Sequence, residues 1–157
     1  MRDPLITQNL SVATAEATRK IGAQLAKRCA AGSVILLSGP LGSGKTTFVD
    51  GFARGLGAGP ATSPTFVIAH SYPSGRIPIW HLDLYRLEDP AQGEELDLEQ
   101  YVSTDAVTLV EWPERVAHVW PAASVTIIFS ITPQGRMLSL SVPAAMQHVL
   151  EGLALVG

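Results

Sequence analysis

The chain has 157 residues, of which 46% are hydrophobic and 16% charged, and its formal net charge is −3. This length predicts a single domain over residues 1–157, and the composition is typical of a compact globular protein. No apolar run approaches the ~20 residues of a membrane-spanning helix, and nothing resembles a signal peptide, so no membrane association is expected. Cys29 is the single cysteine, which excludes an internal disulfide and favours a reducing cytoplasm.

Charge is distributed unevenly along the chain. Lysine occurs only at positions 20, 27 and 45, whereas ten acidic residues lie between Asp83 and Glu114 with Arg86 as the single base. Because binding a nucleic-acid backbone requires clustered Lys and Arg, tight direct nucleic-acid binding is not expected. An acidic segment of this kind is usually a solvated face, and a protein-docking face is the alternative.

The first predicted helix begins at Thr14. Thr14 is a suitable N-cap and Glu16 favours the first turn, so we expect the helix to run to residues 27 and 28. Cys29 continues the apolar line of this helix, which predicts a buried structural thiol rather than a reactive one.

A phosphate-binding motif follows this helix. Gly39, Gly44, Lys45 and Thr46 match every fixed position of the pattern G-x-x-x-x-G-K-[ST]. The glycines let successive backbone N–H groups point at phosphate oxygens, Lys45 reaches the β- and γ-phosphates, and the Thr46 hydroxyl can ligate Mg²⁺. The candidate nucleotide-binding residues of the loop are Gly39, Leu41, Gly42, Ser43, Gly44, Lys45, Thr46 and Thr47.

The sequence on both sides of the motif supports it. Residues 34–37 are a short apolar run that is typical of a buried strand. Downstream, apolar residues at positions 48, 52 and 56 recur every fourth residue, which predicts a helix that ends at Gly57. Strand, glycine-rich loop and helix in this order favour nucleotide binding over a simple glycine turn.

The rest of the chain alternates short strands and helices. Two hairpins are predicted from residues 66–72 with 77–84 and from residues 124–131 with 137–142. We also expect an acidic helix over residues 90–101, a strand over 107–110, a brief helix from Pro113 and a last helix from about Pro143. These elements predict an α/β protein with a three-layer P-loop NTPase fold and a mixed, mainly parallel central sheet.

Two carboxylates come at the ends of predicted strands. Asp83 lies near the end of strand 77–84, on the same side as Ile79 and His81, and Glu111 directly follows strand 107–110. A P-loop enzyme needs such a carboxylate near its metal. Either residue can hold Mg²⁺ directly or through water while the other orients the attacking water. The alternative is a strand-end acid that caps a helix or pairs with an arginine.

Three further residues have two readings each. Thr65, in a Ser-Pro-Thr loop, can place a hydroxyl near Mg²⁺ or the γ-phosphate, as GTPase switch loops do, or belong to an ordinary proline turn. Trp112 can cover the phosphates or be a core or surface aromatic. His81 is expected to be structural rather than metal-binding, because no second His or Cys lies at ligand spacing.

Four segments occur in a characteristic order and spacing. They are residues 39–47, Ser-Pro-Thr-Phe at 63–66, His-Leu-Asp-Leu-Tyr-Arg-Leu at 81–87 and Val-Glu-Trp-Pro-Glu at 110–114. On these segments the chain resembles the TsaE family across about residues 10 to 140. That family comprises small bacterial P-loop ATPases required for making threonylcarbamoyladenosine on tRNA. The P-loop is widespread, whereas the last two segments are specific to the family.

The resemblance implies an accessory role. It implies a protein that is monomeric alone, binds ATP and Mg²⁺, hydrolyses ATP to ADP weakly, and docks on the TsaD–TsaB complex. The resemblance further implies that TsaD transfers the threonylcarbamoyl group and that hydrolysis by the TsaE-like subunit resets the complex between turnovers. The acidic region of residues 83–114 then becomes a candidate partner-facing surface.

The resemblance also implies roles for individual residues. It makes Lys45 and Thr46 the phosphate and metal ligands, Glu111 the acidic metal ligand and Asp83 a carboxylate needed for hydrolysis. Thr65 falls in the switch-like loop.

Two further segments and one departure belong to the same resemblance. Residues near 14–18, including Thr14, and residues 135 and 136, including Arg136, are expected to approach the nucleotide base. The family commonly has an acid where this chain has Pro40, a loop-edge position whose side chain is not a phosphate ligand.

Two other functions fit the same motif. A small-molecule kinase shares the size, loop and sheet, but it needs an arginine-rich lid, and the five arginines after the P-loop are at least ten residues apart. A nucleotide-gated binding module without useful turnover is the other alternative. No segment matches a guanine-specific pattern such as N-K-x-D.

Overall fold

The computed structural model describes residues 3–59, 68–102 and 105–153. The strands among them are β1 (Leu5–Val12), β2 (Val34–Ser38), β3 (Ala69–Tyr72), β4 (Ile79–Asp83), β5 (Val107–Glu111), β6 (Val125–Thr132) and β7 (Gly135–Pro143). The α-helices are α1 (Ala15–Ala26), α2 (Lys45–Gly55) and α3 (Pro90–Glu95). Short 3-10 helices cover Leu98–Tyr101, Pro113–Val119 and Ala144–Val149.

The strands form one mixed sheet in the order β1-β7-β6-β2-β5-β4-β3. The middle is parallel, since β2 pairs in parallel with both β5 and β6, and β4 pairs in parallel with β5. The antiparallel pairs lie towards the two edges, between β1 and β7, β6 and β7, and β3 and β4. The predicted α/β fold with a mixed sheet is confirmed. The parallel centre of the sheet carries the loop of residues 39–44 that precedes α2, the phosphate loop.

Helices α1 and α2 cover one face of the sheet. Thr14 caps α1 as predicted, because its hydroxyl accepts the N–H of Ala17 at 3.1 Å. The apolar stripe of α2 is also confirmed, since Phe48, Phe52 and Leu56 are all buried in the main core cluster. This stripe anchors the helix that begins at the phosphate loop.

The two helices approach each other at glycines. A Cβ atom on Gly51 would overlap the backbone of Arg19, and one on Gly22 would overlap the carbonyl oxygen of Phe48. A Cβ on Gly55 would lie 2.8 Å from the Cα of Ala23. Side chains are therefore excluded along this line, and α1 and α2 pack backbone against backbone.

The other face of the sheet carries shorter elements. A second cluster there contains Leu82, Leu84, Leu87, Leu98, Val110 and Val116. The expectation of one helix over residues 90–101 is wrong, because α3 ends at Glu95 and Asp97 is left-handed with φ of 50°. An unbroken helix would put Leu98 on the same face as exposed Glu94, four residues earlier. The break lets Leu98 turn into the core.

Both ends of the described chain pack against the main core cluster. Strand β1 was not predicted; four of its eight residues are polar, and among the described strands it pairs only with β7. Near the other end, the expected helix is a 3-10 helix, Ala144–Val149, whose last residue is buried with Leu150 and Leu153. Cys29 is buried as expected, and this burial raises the pKa of its thiol to about 12. None of the described helices is long and apolar enough to cross a membrane.

Candidate functional site

The phosphate loop joins the end of β2 to the start of α2. Gly44 occupies the N-cap position of α2 with φ of 105°, a left-handed conformation that favours glycine. No side chain among the described residues caps this end. The first N–H groups of α2 are therefore left without a side-chain partner, and a helix N-terminus of this kind is suited to an anion.

Two buried polar side chains lie within this loop. The Lys45 ammonium donates to the carbonyl oxygens of Gly39 at 2.6 Å and Pro40 at 2.9 Å. Burial lowers the pKa of Lys45, and the nearby carboxylates, led by Glu111, oppose that effect. Ser43 is buried, and its hydroxyl oxygen has no hydrogen-bond partner among the residues that the structure describes. A cation and an unsatisfied hydroxyl in one loop suit an anionic ligand.

Thr46 and Glu111 meet where α2 begins and β5 ends. The Thr46 hydroxyl lies 3.0 Å from each carboxylate oxygen of Glu111. The parallel register explains this contact, because Glu111 stands opposite Leu37 of β2, just before the loop. Since the carboxylate only accepts, Thr46 donates its proton and keeps its oxygen lone pairs for another ligand.

Asp83 lies beside Glu111 at the same edge of the sheet. The two residues are direct partners in the parallel pairing of β4 with β5. The Asp83 carboxylate accepts the N–H of Tyr85 at 3.0 Å. Burial raises the pKa of this carboxyl above its ordinary value, and the neighbouring Glu111 adds to the rise, while the Tyr85 N–H opposes it. The edge therefore combines two carboxylates with the ammonium of Lys45.

A buried imidazole supports the same carboxylate. His81 is fully buried, and its Nε2 lies 2.6 Å from Oε2 of Glu111. On the other side of the ring, Nδ1 lies 3.4 Å from the hydroxyl of Tyr72. Glu111 is thus contacted from two directions, by Thr46 and by His81.

Trp112 follows Glu111 and borders the loop. Its backbone is left-handed with φ of 60°, and its ring centroid lies 4.5 Å from the Lys45 ammonium. Tyr85 packs beside it with ring centroids 5.1 Å apart. The Trp112 ring is therefore next to the lysine of the phosphate loop, where a cation–π contact forms.

A pocket of about 180 Å³ opens beside the loop. Its lining residues come from the start of α1, the loop with the start of α2, and the turn into β7, and they are Ala13, Thr14, Ala15, Thr18, Gly42, Gly44, Thr47, Gly135 and Arg136. The Arg136 guanidinium donates to the carbonyl oxygen of Gly42 at 3.0 Å and ties β7 to the loop. Thr14 and Arg136 are thus brought to one pocket that adjoins the phosphate loop.

The sequence profile of the family "Threonylcarbamoyl adenosine biosynthesis protein TsaE" matches residues 12–138. The chain belongs to the TsaE family. It shares 40% identity over 129 residues with the tRNA threonylcarbamoyladenosine biosynthesis protein TsaE of a Nostoc species, covering 79% of this chain and 78% of that protein. With the protein of the same name from Bacillus subtilis it shares 40% identity over 114 residues, covering 72% and 71% of the two chains.

The fold agrees with a solved structure. The crystal structure of Bacillus subtilis YdiB superimposes with a TM-score of 0.77 and 28% sequence identity, covering 98% of this chain and 96% of that one. The match spans almost the whole length of both chains. The TsaE family is named for the biosynthesis of threonylcarbamoyl adenosine, and the resemblance identified from the four sequence segments is confirmed.

In this TsaE family member, the predicted residues fall into two neighbouring groups. Lys45, Thr46, Asp83 and Glu111 meet at the carboxyl edge of the parallel strands, whereas Thr14 and Arg136 line the pocket with Gly42, Gly44 and Thr47. Leu41 is 62% exposed at the surface of the loop. Thr65 lies outside the described residues.

Sequence reasoning missed the connection between His81 and Glu111. His81 was expected to be structural, and its ring is indeed fully buried. The available signal was the alternation in β4, which puts His81 on the same side of the strand as Asp83. The contact itself depends on the pairing of β4 with β5, which a single sequence does not reveal.

Proposed function

We propose that this TsaE family member binds ATP with Mg²⁺ at the phosphate loop and hydrolyses the ATP slowly. The observation that carries the proposal is the contact between the Thr46 hydroxyl and both oxygens of Glu111, beside the Lys45 ammonium. A P-loop hydroxyl and a strand-end carboxylate in this relation are the pair that P-loop NTPases use around their metal.

The loop supplies the phosphate contacts. Lys45 presents its ammonium to the β- and γ-phosphates. The buried hydroxyl of Ser43, which has no partner among the described residues, donates to a phosphate oxygen. The N–H groups at the start of α2 point the same way. The uncapped helix end and the unpartnered hydroxyl thus support phosphate binding.

The donor set also fits a hard divalent cation. Thr46 offers a hydroxyl oxygen with free lone pairs, and Glu111 offers an anionic carboxylate 3.0 Å away. When bound, Mg²⁺ supplies positive charge that offsets the charge of the phosphate oxygens. Glu111 binds the Mg²⁺ directly or through a water molecule.

Asp83 is the carboxylate that we assign to the attacking water. It stands beside Glu111 in the register of β4 and β5, and its oxygens lie outside the contact that joins Thr46 to Glu111. The raised pKa of its carboxyl makes it a better proton acceptor than an ordinary aspartate. In this assignment, Asp83 orients water and Glu111 serves the cation.

The pocket beside the loop accommodates the rest of the nucleotide. Thr14, Thr18 and Arg136 line it, and none of the described residues that line it is acidic. The described lining therefore offers no carboxylate to accept the N–H groups of guanine, which supports ATP rather than GTP as the substrate.

The family name supports an accessory role in making threonylcarbamoyladenosine on tRNA. We assign the transfer step to TsaD-type proteins, and we propose that this chain, monomeric when alone, docks on a TsaD–TsaB complex in the cytoplasm and resets it by hydrolysis. Tight direct tRNA binding is not part of this role. Exposed acidic residues of the 83–114 region, such as Glu94, Glu95 and Glu99, provide a surface suited to a protein partner.

The decisive test is ATP hydrolysis by the purified protein, alone and with TsaD and TsaB added. We expect slow turnover that requires Mg²⁺ and rises when the partners are present. Lys45→Ala serves as the blank, and Asp83→Ala is expected to abolish turnover while retaining nucleotide binding.

Two results would contradict the proposal. Fast phosphoryl transfer to a small acceptor molecule, without any response to the partners, would indicate a kinase. Full support of tRNA modification by Asp83→Ala would indicate a nucleotide-gated module in which hydrolysis is not needed.

A further inference from the structure

A polar chain crosses three strands behind the candidate cation site. It runs from the Tyr72 hydroxyl on β3 to the imidazole of His81 on β4, and from there to the Glu111 carboxylate on β5 and the Thr46 hydroxyl. The Tyr72 and His81 rings are stacked, with centroids 6.2 Å apart and an interplanar angle of 28°. His81 is therefore held in one ring orientation.

We propose that His81 is a positioning residue that fixes the Glu111 carboxylate for the bound cation. The inference rests on the proposed function, because it assigns His81 a role in serving the same Mg²⁺ site. His81 itself contacts neither the cation nor the nucleotide.

The donor and acceptor atoms of Glu111, His81 and Tyr72 fix the direction of each hydrogen bond in this row of polar side chains. An ionised carboxylate only accepts, so Nε2 of His81 donates to Oε2 of Glu111 over 2.6 Å. A neutral ring in this tautomer has an acceptor at Nδ1, where the Tyr72 hydroxyl lies. The bond to Oε2 stops the carboxylate from rotating, and Thr46 then receives a fixed partner for its proton.

Packing alone does not account for a histidine here. Leu82, the next residue in β4, and Ile79, on the same side of the strand as His81, are buried and apolar. A buried imidazole costs free energy unless both of its nitrogens are partnered. An apolar side chain of similar volume would fill the space without that requirement. Carboxylates and imidazoles behind metal ligands orient those ligands in many proteins, and their loss lowers metal affinity.

Two amide substitutions separate positioning from packing. Gln places its amide nitrogen where Nε2 of His81 lies and can still donate to Glu111, whereas the amide nitrogen of Asn corresponds to Nδ1 and does not reach it. Both replacements put an amide into the same buried space. His81→Gln and His81→Asn are therefore a matched pair.

The measurement is the affinity for a non-hydrolysable ATP analogue, determined by calorimetry in EDTA and again in Mg²⁺. The ratio of the two affinities is the gain due to Mg²⁺. We expect His81→Gln to keep most of the wild-type gain and His81→Asn to lose about 10- to 100-fold of it. Affinity in EDTA is expected to be the same for all three proteins.

Several results would overturn the inference. Equal gains in His81→Gln and His81→Asn would do so, and so would losses of the same size in EDTA and in Mg²⁺, since these indicate a packing role. If wild-type protein shows no gain or no binding, the proposed function itself fails and the inference fails with it. If the wild type and both variants show the same gain due to Mg²⁺, the inference fails and the proposed function stands.

Thermal unfolding of both variants is measured before the titrations. Should neither fold, Tyr72→Phe provides the test, because it removes the hydroxyl at Nδ1 and leaves a ring of nearly the same volume. We then expect a smaller loss of the Mg²⁺ gain in Tyr72→Phe, and an unchanged gain would overturn the inference.

Discussion

The interface between α1 and α2 and the carboxyl edge of β2, β4 and β5 both border the phosphate loop, yet they are built in opposite ways. At the interface, glycines bring the helix backbones together above an apolar core, and the buried Asp50 is paired with the more exposed Arg19 at 3.0 Å and Arg54 at 3.2 Å. At the strand edge, ionisable groups are buried, with Lys45 5% and Glu111 3% exposed.

This difference separates stability from chemistry. The apolar side chains of the interface pack against other residues of the fold. The strand edge and the adjoining loop, by contrast, contain the Ser43 hydroxyl, which has no described partner, and carboxyl and ammonium groups whose pKa values are shifted by burial. Perturbed groups of this kind are typical of functional sites. Substitutions in the first region should therefore change stability, and those in the second should change nucleotide chemistry.

The largest effect is expected from Glu111→Gln. The substitution keeps the size of the side chain but removes the charge that faces the cation, so ATP hydrolysis should fall on the order of 100-fold or more. A steady-state ATPase assay of the protein alone, without partners, measures this, and Glu95→Gln on the exposed end of α3 is the matched control. Retention of most activity in Glu111→Gln would break the proposed division between the two regions.

A large effect of the other kind is expected from Gly51→Ala. The new Cβ would overlap the backbone of Arg19, so we expect a loss of about 1–3 kcal/mol in the free energy of unfolding. For a chain of this size that lowers Tm by about 2–4 °C per kcal/mol.

Gly59→Ala is the control for this substitution, because no atom of the described residues lies within 4 Å of a Cβ at that position. Calorimetry of unfolding measures both variants. The nucleotide affinity of folded Gly51→Ala should match the wild type, and a loss of affinity without any fall in Tm would contradict the comparison.

A smaller effect should appear in the pH dependence of Asp83→Asn without metal or nucleotide. Because burial raises the pKa of the Asp83 carboxyl, the folded state binds that proton more tightly than the unfolded chain. Wild-type stability is therefore lost as pH rises from about 4, the ordinary aspartate pKa, through the folded-state value. The variant should gain stability over the wild type across this window, as measured by denaturant unfolding, whereas parallel pH profiles would contradict the cause assigned to the shift.

The smallest effect concerns Cys29, on the helix side of the core. Burial raises the pKa of its thiol to about 12, so at pH 8 almost no thiolate is present and the native protein should react very slowly with a chromogenic disulfide reagent. The same protein in denaturant should react fully and at once. Rapid reaction of the native protein would show that this side of the core opens more readily than its packing indicates.

The sequence was sufficient to predict elements that are determined by residues close together along the chain. The capping hydroxyl of Thr14, the apolar stripe of α2 and the apolar run of β2 act within a few residues, and all three predictions are confirmed. The loop motif likewise depends on residues that are adjacent in sequence. These features could be read without knowledge of the fold.

Other features depend on tertiary pairing. Strand β1 mixes four apolar with four polar residues, and its pairing with β7 joins positions more than a hundred residues apart. The end of α3 at Glu95 follows from the burial of Leu98. The contact of His81 with Glu111 follows from the register of β4 and β5. In each case the deciding partner is distant in sequence, so composition and periodicity carried no information about it.

The contact line of Gly22, Gly51 and Gly55 has a consequence for motion. Thr14 and Thr18 at the start of α1 and Gly44 and Thr47 at the start of α2 line the same pocket. Because the two helices interlock through their backbones, neither can slide or tilt without the other, and these two walls behave as one rigid block. A shape change that accompanies exchange of ATP for ADP is then expected to leave the relative positions of α1 and α2 unchanged.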